Sequence, residues 1–246
     1  MSGGSVSNFV RTVFIAVFLA LSATAIVKAA PSPTPSPVPT AAPPETASET
    51  QFVSSATSDL QSRFATTAAA SAAGYFQYTD EDQTGAISWV NPSSWASDPQ
   101  HPSQLWYDIK GHLIGADFSV LQSTSKDRPS VWGVSPSRFI DFSPAHVHFG
   151  VKTASGMQFG GVGQKTMGMV KGSVDNPTAA DILAVSKLPR WKVLGIAAPQ
   201  SASDIAFVFS FPAVWDLQVW LVPNPLGAFA EHNPNITASP NAKNQD

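Results

Sequence analysis

Apolar residues recur every four positions early in the chain: Phe52, Ala56, Leu60, Phe64 and Ala68 fall on one face, with Ser, Thr and charged residues between them. Such spacing predicts an amphipathic helix laid on a core. Ser48 followed by Gln51 fits a capping box at its start, and Gly74 is expected to end it. From Tyr75 the texture changes to short runs of β-branched and aromatic residues separated by Gly, Pro, Asn and Asp. These predict strands at 86–90, 105–108, 113–121, 139–142, 146–153, 191–197, 205–211 and 217–222. One helix is expected among them near 177–188, with Asn176 as cap, Pro177 at the first position and Ile182, Val185 and Leu188 at helical spacing. The Gly- and Met-rich stretch 156–172 reads as a loop or irregular strand pair, and it lacks the G-x-x-x-x-G-K-[ST] spacing of a phosphate loop. Strands and helices do not alternate regularly. The expected fold is therefore α+β, an N-terminal helix followed by a largely antiparallel β domain with one further helix near 177–188.

The segment before the first helix has a different character. Arg11 is the only charge in the first 27 residues and precedes the apolar run Thr12 to Val27, which is shorter than the about 20 apolar residues a spanning helix needs. Val27, Lys28 and Ala29 end it like a signal-peptidase site. Pro31, Pro33, Pro35, Pro37 and Pro39 then alternate with Ser, Thr and Val, a composition that favours an extended spacer with nothing to bury. The expected organisation is a signal peptide at 1–29, a disordered Pro-rich linker at 30–47, a single globular domain at 48–236 and a disordered tail at 237–246. A secreted or periplasmic location follows, with membrane contact only during export.

Composition narrows the function classes. Charged residues make up 13% and aromatics 10% of the chain, with seven Trp and fifteen Phe, enough apolar material to bury a core. The absence of cysteine excludes disulfides, thiolate metal sites, iron–sulfur clusters and cysteine nucleophiles. The net charge of −3 becomes −5 once Arg11 and Lys28 leave with the leader, and no block of Lys or Arg supplies the footprint of a nucleic-acid binder.

Two polar features carry candidate chemistry. In Ala145-His146-Val147-His148-Phe149, the alternation of a strand puts both imidazoles on one face, the way sheets begin a Zn or Cu site. His112 and Asp117 are candidate further ligands, with Asp141, His101 and His232 behind them; none has diagnostic spacing. The pair also looks like the His-x-His-Phe end of lysostaphin-type zinc endopeptidases, but His112 to Asp117 is one residue longer than the His-x-x-x-Asp of that group. In the second feature, Asp80, Asp82, Thr84 and Ser88 match oxygen positions of an EF-hand calcium loop, with Gly85 at its turn. Asn91 stands where the bidentate carboxylate belongs, so calcium is the weaker candidate after Zn or Cu. No G-x-S-x-G elbow occurs, and the acids outside Asp80–Asp82 are scattered. Among the tryptophans, Trp95 and Trp132 sit among small and turn-forming residues and are the candidates for ligand contact.

The string Gly74-Tyr75, Trp89-Val90-Asn91-Pro92, Leu105-Trp106-Tyr107-Asp108 and Gly111-His112-Leu113, closed by Val219-Trp220, Asn224-Pro225-Leu226-Gly227-Ala228-Phe229 and Asn233-Pro234, resembles a group of uncharacterised secreted bacterial proteins. The resemblance implies export and no activity. Where that group carries a His two residues before the closing Trp, this chain has Gln218. Two functions stay open at this point. One is an exported non-catalytic binding protein on a Pro-rich tether, recognising a small molecule, a surface polymer or a protein. The other is an exported metalloprotein, a metal carrier or a metal-dependent hydrolase, built on His146 and His148.

Overall fold

The first helix begins two residues earlier than its sequence signature suggests. In the computed structural model, which describes residues 40–95 and 98–243, the Thr46 hydroxyl accepts from the Glu49 N–H and the Glu49 carboxylate accepts from the Thr46 N–H at 2.9 Å. This closes a capping box ahead of α1 (Ala47–Phe64). Ser48, the expected cap, donates its hydroxyl to the Gly133 carbonyl instead. A second cap at Thr66 restarts the helix as α2 (Thr67–Ala72), and Gly74, at φ +90°, follows its end. The Tyr107 hydroxyl donates to the Phe64 carbonyl at 2.7 Å, serving an acceptor that the break in the helix leaves open. The expected leader and the tether as far as residue 39 lie outside the described residues. No helix among the described residues is long and apolar enough to cross a membrane.

The strands are β1 (Phe76–Gln77), β2 (Ile87–Val90), β3 (Gln104–Tyr107), β4 (Leu113–Leu121), β5 (Ile140–Asp141), β6 (His146–Thr153), β7 (Gly156–Gly163), β8 (Ile205–Phe211) and β9 (Val214–Trp220). They form a six-stranded sheet in the order β1-β2-β3-β4-β9-β5 and a three-stranded sheet in the order β7-β6-β8, with every pairing antiparallel. The fold is α+β, as the sequence pattern predicts.

Three local expectations change. The stretch 156–172 is the regular strand β7 followed by α3 (Gln164–Met169); four of its six glycines lie in the strand, where Gly160 leaves room for Phe149 and Ile196. The helix near 177–188 is the shorter α4 (Ala179–Val185), because Thr178 and Asp181 form the capping box that Asn176 and Pro177 only precede. The expected strand at 191–197 is a tight 3₁₀ turn, Pro189–Leu194. Pro189 suits its start, Gly195 at φ +64° ends it, and Trp191 stacks on Phe149 at 5.3 Å.

α1 buries Phe52, Leu60 and Phe64 against Leu105, Phe118, Leu217 and Val219 on one face of the larger sheet. A bulge adjusts that face: Trp106 pairs with Gly115 and Tyr107 with Leu113, so Ile114 is an extra residue. Leu113 and Ala116 both join the helix-side core, while Ile114 packs with Trp106 and Trp220 on the far side. Gly115 is required there, since a Cβ would overlap the Trp106 indole. In the smaller sheet, Val147, Phe149 and Val151 form a second core with Met167, Ile182, Val185 and Trp191. Its opposite face carries Phe207, Phe209 and Phe211, which meet Tyr78, Val90 and Val214 of the larger sheet.

Both ends of the described chain lie on the domain, although the sequence assigns them to a linker and a tail. Arg138 Nη2 donates to the carbonyls of Pro43 and Pro44, and the Ala42 N–H donates to the Leu226 carbonyl. At the other end the Ser239 N–H donates to the buried Glu81 carboxylate at 2.8 Å, and Lys243 pairs with Asp80. A Pro-rich segment has no core to form but keeps all its carbonyl acceptors, and Arg138 uses them.

Candidate functional site

Alternation along the strands decides what faces away from α1. On that side β4 presents Asp117 and Ser119, and β9 presents Asp216 and Gln218, in register as Asp117 opposite Gln218 and Ser119 opposite Asp216. Gln104 on β3 pairs with Asp117 from the other side. A row of amide, carboxyl and amide therefore crosses three central strands. Asp117, Gln104 and Gln218 line a cavity of about 630 Å³ together with Trp106, Trp220 and Tyr78, with Asp82, Glu231 and His232 also bordering it. That volume suits a small molecule.

The floor is buried and largely hydrogen-bonded. Trp106 Nε1 donates to Asp117 Oδ2 at 2.9 Å, Ser119 Oγ donates to Asp216 Oδ1 at 2.9 Å, and the Tyr78 hydroxyl donates to Gln104 Oε1. Three buried side-chain atoms have no partner among the described residues: Asp117 Oδ1, Asp216 Oδ2 and Gln104 Nε2. The first two belong to neighbouring carboxyls. Burial pushes Asp117 well above the carboxylate range, and the negative charge of Asp216 adds to this. Burial also pushes Asp216 up to about 7, against hydrogen bonds from Ser119 and Asp117 that pull it down. Asp117 is therefore the acid that keeps its proton, and one proton donated to Asp216 serves both carboxyls. The Gln104 N–H is still unmet. Neither acid has a cationic partner among the described ion pairs, and Arg138, which borders the cavity, is held by Glu49 at 3.1 Å.

His146 and His148 share one face of β6, as alternation requires, and their Nε2 atoms lie 2.9 Å apart. His146 Nδ1 is 2.8 Å from the Pro144 carbonyl, which can only accept, so this nitrogen carries the hydrogen and His146 Nε2 is the acceptor for the His148 Nε2–H. The rings are stacked on Phe211 and Phe209, and Tyr78 meets His148 edge-on. Burial lowers both imidazoles, His148 to about 3 with a further contribution from His146, so the pair is neutral at pH 7. The expected metal set does not assemble. His112 is exposed on the turn before β4 and pairs with Asp108, while Asp117 is tied to Trp106 and Asp216 in the other sheet. His101 pairs with Asp98, Asp141 accepts from Gln122, and His232 borders the sheet-face cavity. No group of three or more His, Asp or Glu able to hold a metal occurs among the described residues.

The calcium pattern is a hairpin turn. Asp82 Oδ1 accepts from the Thr84 N–H, the Thr84 hydroxyl and the Ala86 N–H, Asp80 is paired with Lys243, and Ser88 lies within β2. Its oxygens are turned to local donors, as Asx turns do. Trp95 packs on Phe211 at 4.6 Å; Trp132 stacks on Phe52 at 5.9 Å and borders a separate cavity of about 540 Å³ with Gln51, Phe52 and Asp59. The Trp residues at the polar cavity are Trp106 and Trp220 instead. Sequence reasoning placed Asp117 in a metal set and missed Tyr78, Gln104, Ser119 and Asp216. The available signal was alternation: Asp117-x-Ser119 and Asp216-x-Gln218 put polar residues at every second position of otherwise apolar strands.

No family model, curated protein or solved structure matches this chain. Function has to be argued from the site.

Proposed function

We propose that the protein is an exported, non-catalytic binding protein that takes a small polar molecule in the cavity over the larger sheet. The observation that carries this reading is the unmet polar floor, above all Gln104 Nε2, buried beneath a cavity of ligand size. A buried donor without an acceptor costs about 1–3 kcal/mol, which a ligand oxygen recovers. Burial of the second carboxyl favours binding over turnover. Asp216 has no exposed surface and does not border the cavity, so it cannot act on a substrate as the second member of an acid–base pair. The leader and Pro-rich spacer expected of the sequence supply the exported setting.

The His146–His148 pair supports a metal less well, because each Nε2 satisfies the other and no third ligand adjoins them among the described residues. The test of the binding reading is thermal stabilisation by a panel of small polar molecules, wild type against Gln218→Trp, which fills the cavity from its floor. A ligand at a hundred times its Kd stabilises the wild type by about 2.7 kcal/mol and leaves the filled variant unmoved. Equal stabilisation of both proteins places binding elsewhere and refutes the assignment.

A further inference from the structure

Resting on that cavity reading, we infer that the ligand is a compact organic ammonium ion carrying a hydroxyl or ether oxygen close to its nitrogen. The cavity asks for two things at once. Asp117 and Asp216 lie side by side, and among the described residues Trp106, Ser119 and each other are their only polar side-chain partners, so the negative charge they carry when one proton is shared meets no counter-charge there. The cavity wall adds Asp82 and Glu231, while Arg138 is already committed to Glu49. A buried charge without a partner is unstable, and a ligand cation is the missing partner. Aromatic rings attract ammonium groups, and Trp106, Trp220 and Tyr78 line the same cavity as Asp117.

The second demand is independent of the first. Gln104, 1% exposed, presents an unpaired N–H at the same floor, in register with Asp117 on the adjacent strand. An ammonium group has no lone pair to offer it. A bare alkylammonium ion would leave this donor unmet, and a neutral polyol would leave the carboxyl charge unmet. An amino-alcohol cation answers both, its nitrogen toward Asp117 and its oxygen toward Gln104.

The test is calorimetric titration of the purified protein at pH 8 with choline, with the neutral isostere of choline in which carbon replaces nitrogen, with tetramethylammonium and with glucose. Choline is expected to bind about tenfold or more tightly than either its carbon isostere or tetramethylammonium. Asp216→Asn, which removes the charge while Asp117 stays protonated, is expected to abolish the preference over the carbon isostere. Gln104→Leu is expected to abolish the preference over tetramethylammonium, and circular dichroism shows that each variant is folded. Equal binding of choline and its isostere by the wild type overturns the charge argument. If glucose binds, Gln218→Trp blocks it and the ammonium ions do not bind, the ligand class is wrong while the cavity reading stands. Binding of neither class, with Gln218→Trp indistinguishable from wild type across the wider panel, removes both.

Discussion

Replacing Asp216 by Asn should change the pH dependence of stability in a way that identifies the buried carboxyl pair. Asn occupies nearly the same volume, its one oxygen can accept the Asp117 proton, and its NH2 can donate to the Ser119 hydroxyl, which then donates to Ser103 2.6 Å away, so the perturbation is close to removal of a titrating proton. In the fold Asp216 is pushed from its ordinary 3.8 to about 7. An acid raised in this way is fully compatible with the fold below pH 3.8, and its contribution is lost as pH rises toward 7, because the unfolded chain releases the proton and the folded chain does not. Each pH unit well inside that window removes about 1.4 kcal/mol, and the slope halves at 7, so about 2 kcal/mol is lost between pH 5 and 7. His146 and His148 act with the opposite sign, since both are lowered and the unfolded imidazoles take up protons as pH falls through 6.5. Their effect is common to both proteins and cancels in the difference. Of the other groups facing Asp216, Asp117 stays protonated and Tyr78 is raised well above 10 by burial, so neither titrates in the window. Urea unfolding followed by circular dichroism at pH 5, 6, 7 and 8 should show the variant gaining about 2 kcal/mol on the wild type from pH 5 to 7 and only a few tenths more by pH 8. A difference that is the same at every pH would mean that Asp216 is ionised throughout, and the account of the shared proton would be wrong.

Two further outcomes concern the ends of the site. Glu49→Gln leaves Arg138 buried without its counter-ion and should destabilise the protein by about 3–5 kcal/mol in urea unfolding. In the wild type the Arg138 hydrogen bond holds Glu49 at about 2, below its ordinary 4.5, so about 3 kcal/mol of stability should be lost in acid as pH falls from 4.5 to 2; the same acid limb in the variant would sink this explanation. Elemental analysis after incubation with Zn²⁺ or Cu²⁺ should find no stoichiometric metal. One equivalent present in the wild type and absent from His146→Ala with His148→Ala would restore the metalloprotein reading.

The strands at 113–121, 146–153 and 205–211 were legible to the residue because their patterns are local: alternation, β-branched content and flanking turn residues. The helix starts were off by two residues because a cap is chosen by competition, and Glu49 wins through Arg138, 89 residues away in sequence. The false strand at 191–197 has strand-like composition, but Pro189 and Gly195 set its backbone and Trp191 is drawn into the second core. For the site the sequence supplied alternation without partners. Asp117 and Asp216 are 99 positions apart, and their meeting depends on β4 pairing with β9 in one register; a slip of one residue would turn Asp216 toward α1. The His-x-His pair was legible as geometry but not as chemistry, since two rings placed on one face can satisfy each other as well as share a ligand.

The face of a central sheet is an unfavourable place for two acids. One face of these strands is apolar core, and a Val or Leu pair at positions 117 and 216 would pack without desolvating a charge, a change that is often neutral or stabilising. Asp216→Asn gains stability on the wild type between pH 5 and 8 whatever the acids are for, because the gain follows from burial of the carboxyl. If the acids serve a ligand, the same variant also loses the charge that holds the cation, so stability and binding move in opposite directions in one protein. General damage to the fold lowers both, and a variant that gains stability with cation binding unchanged refutes the ligand role.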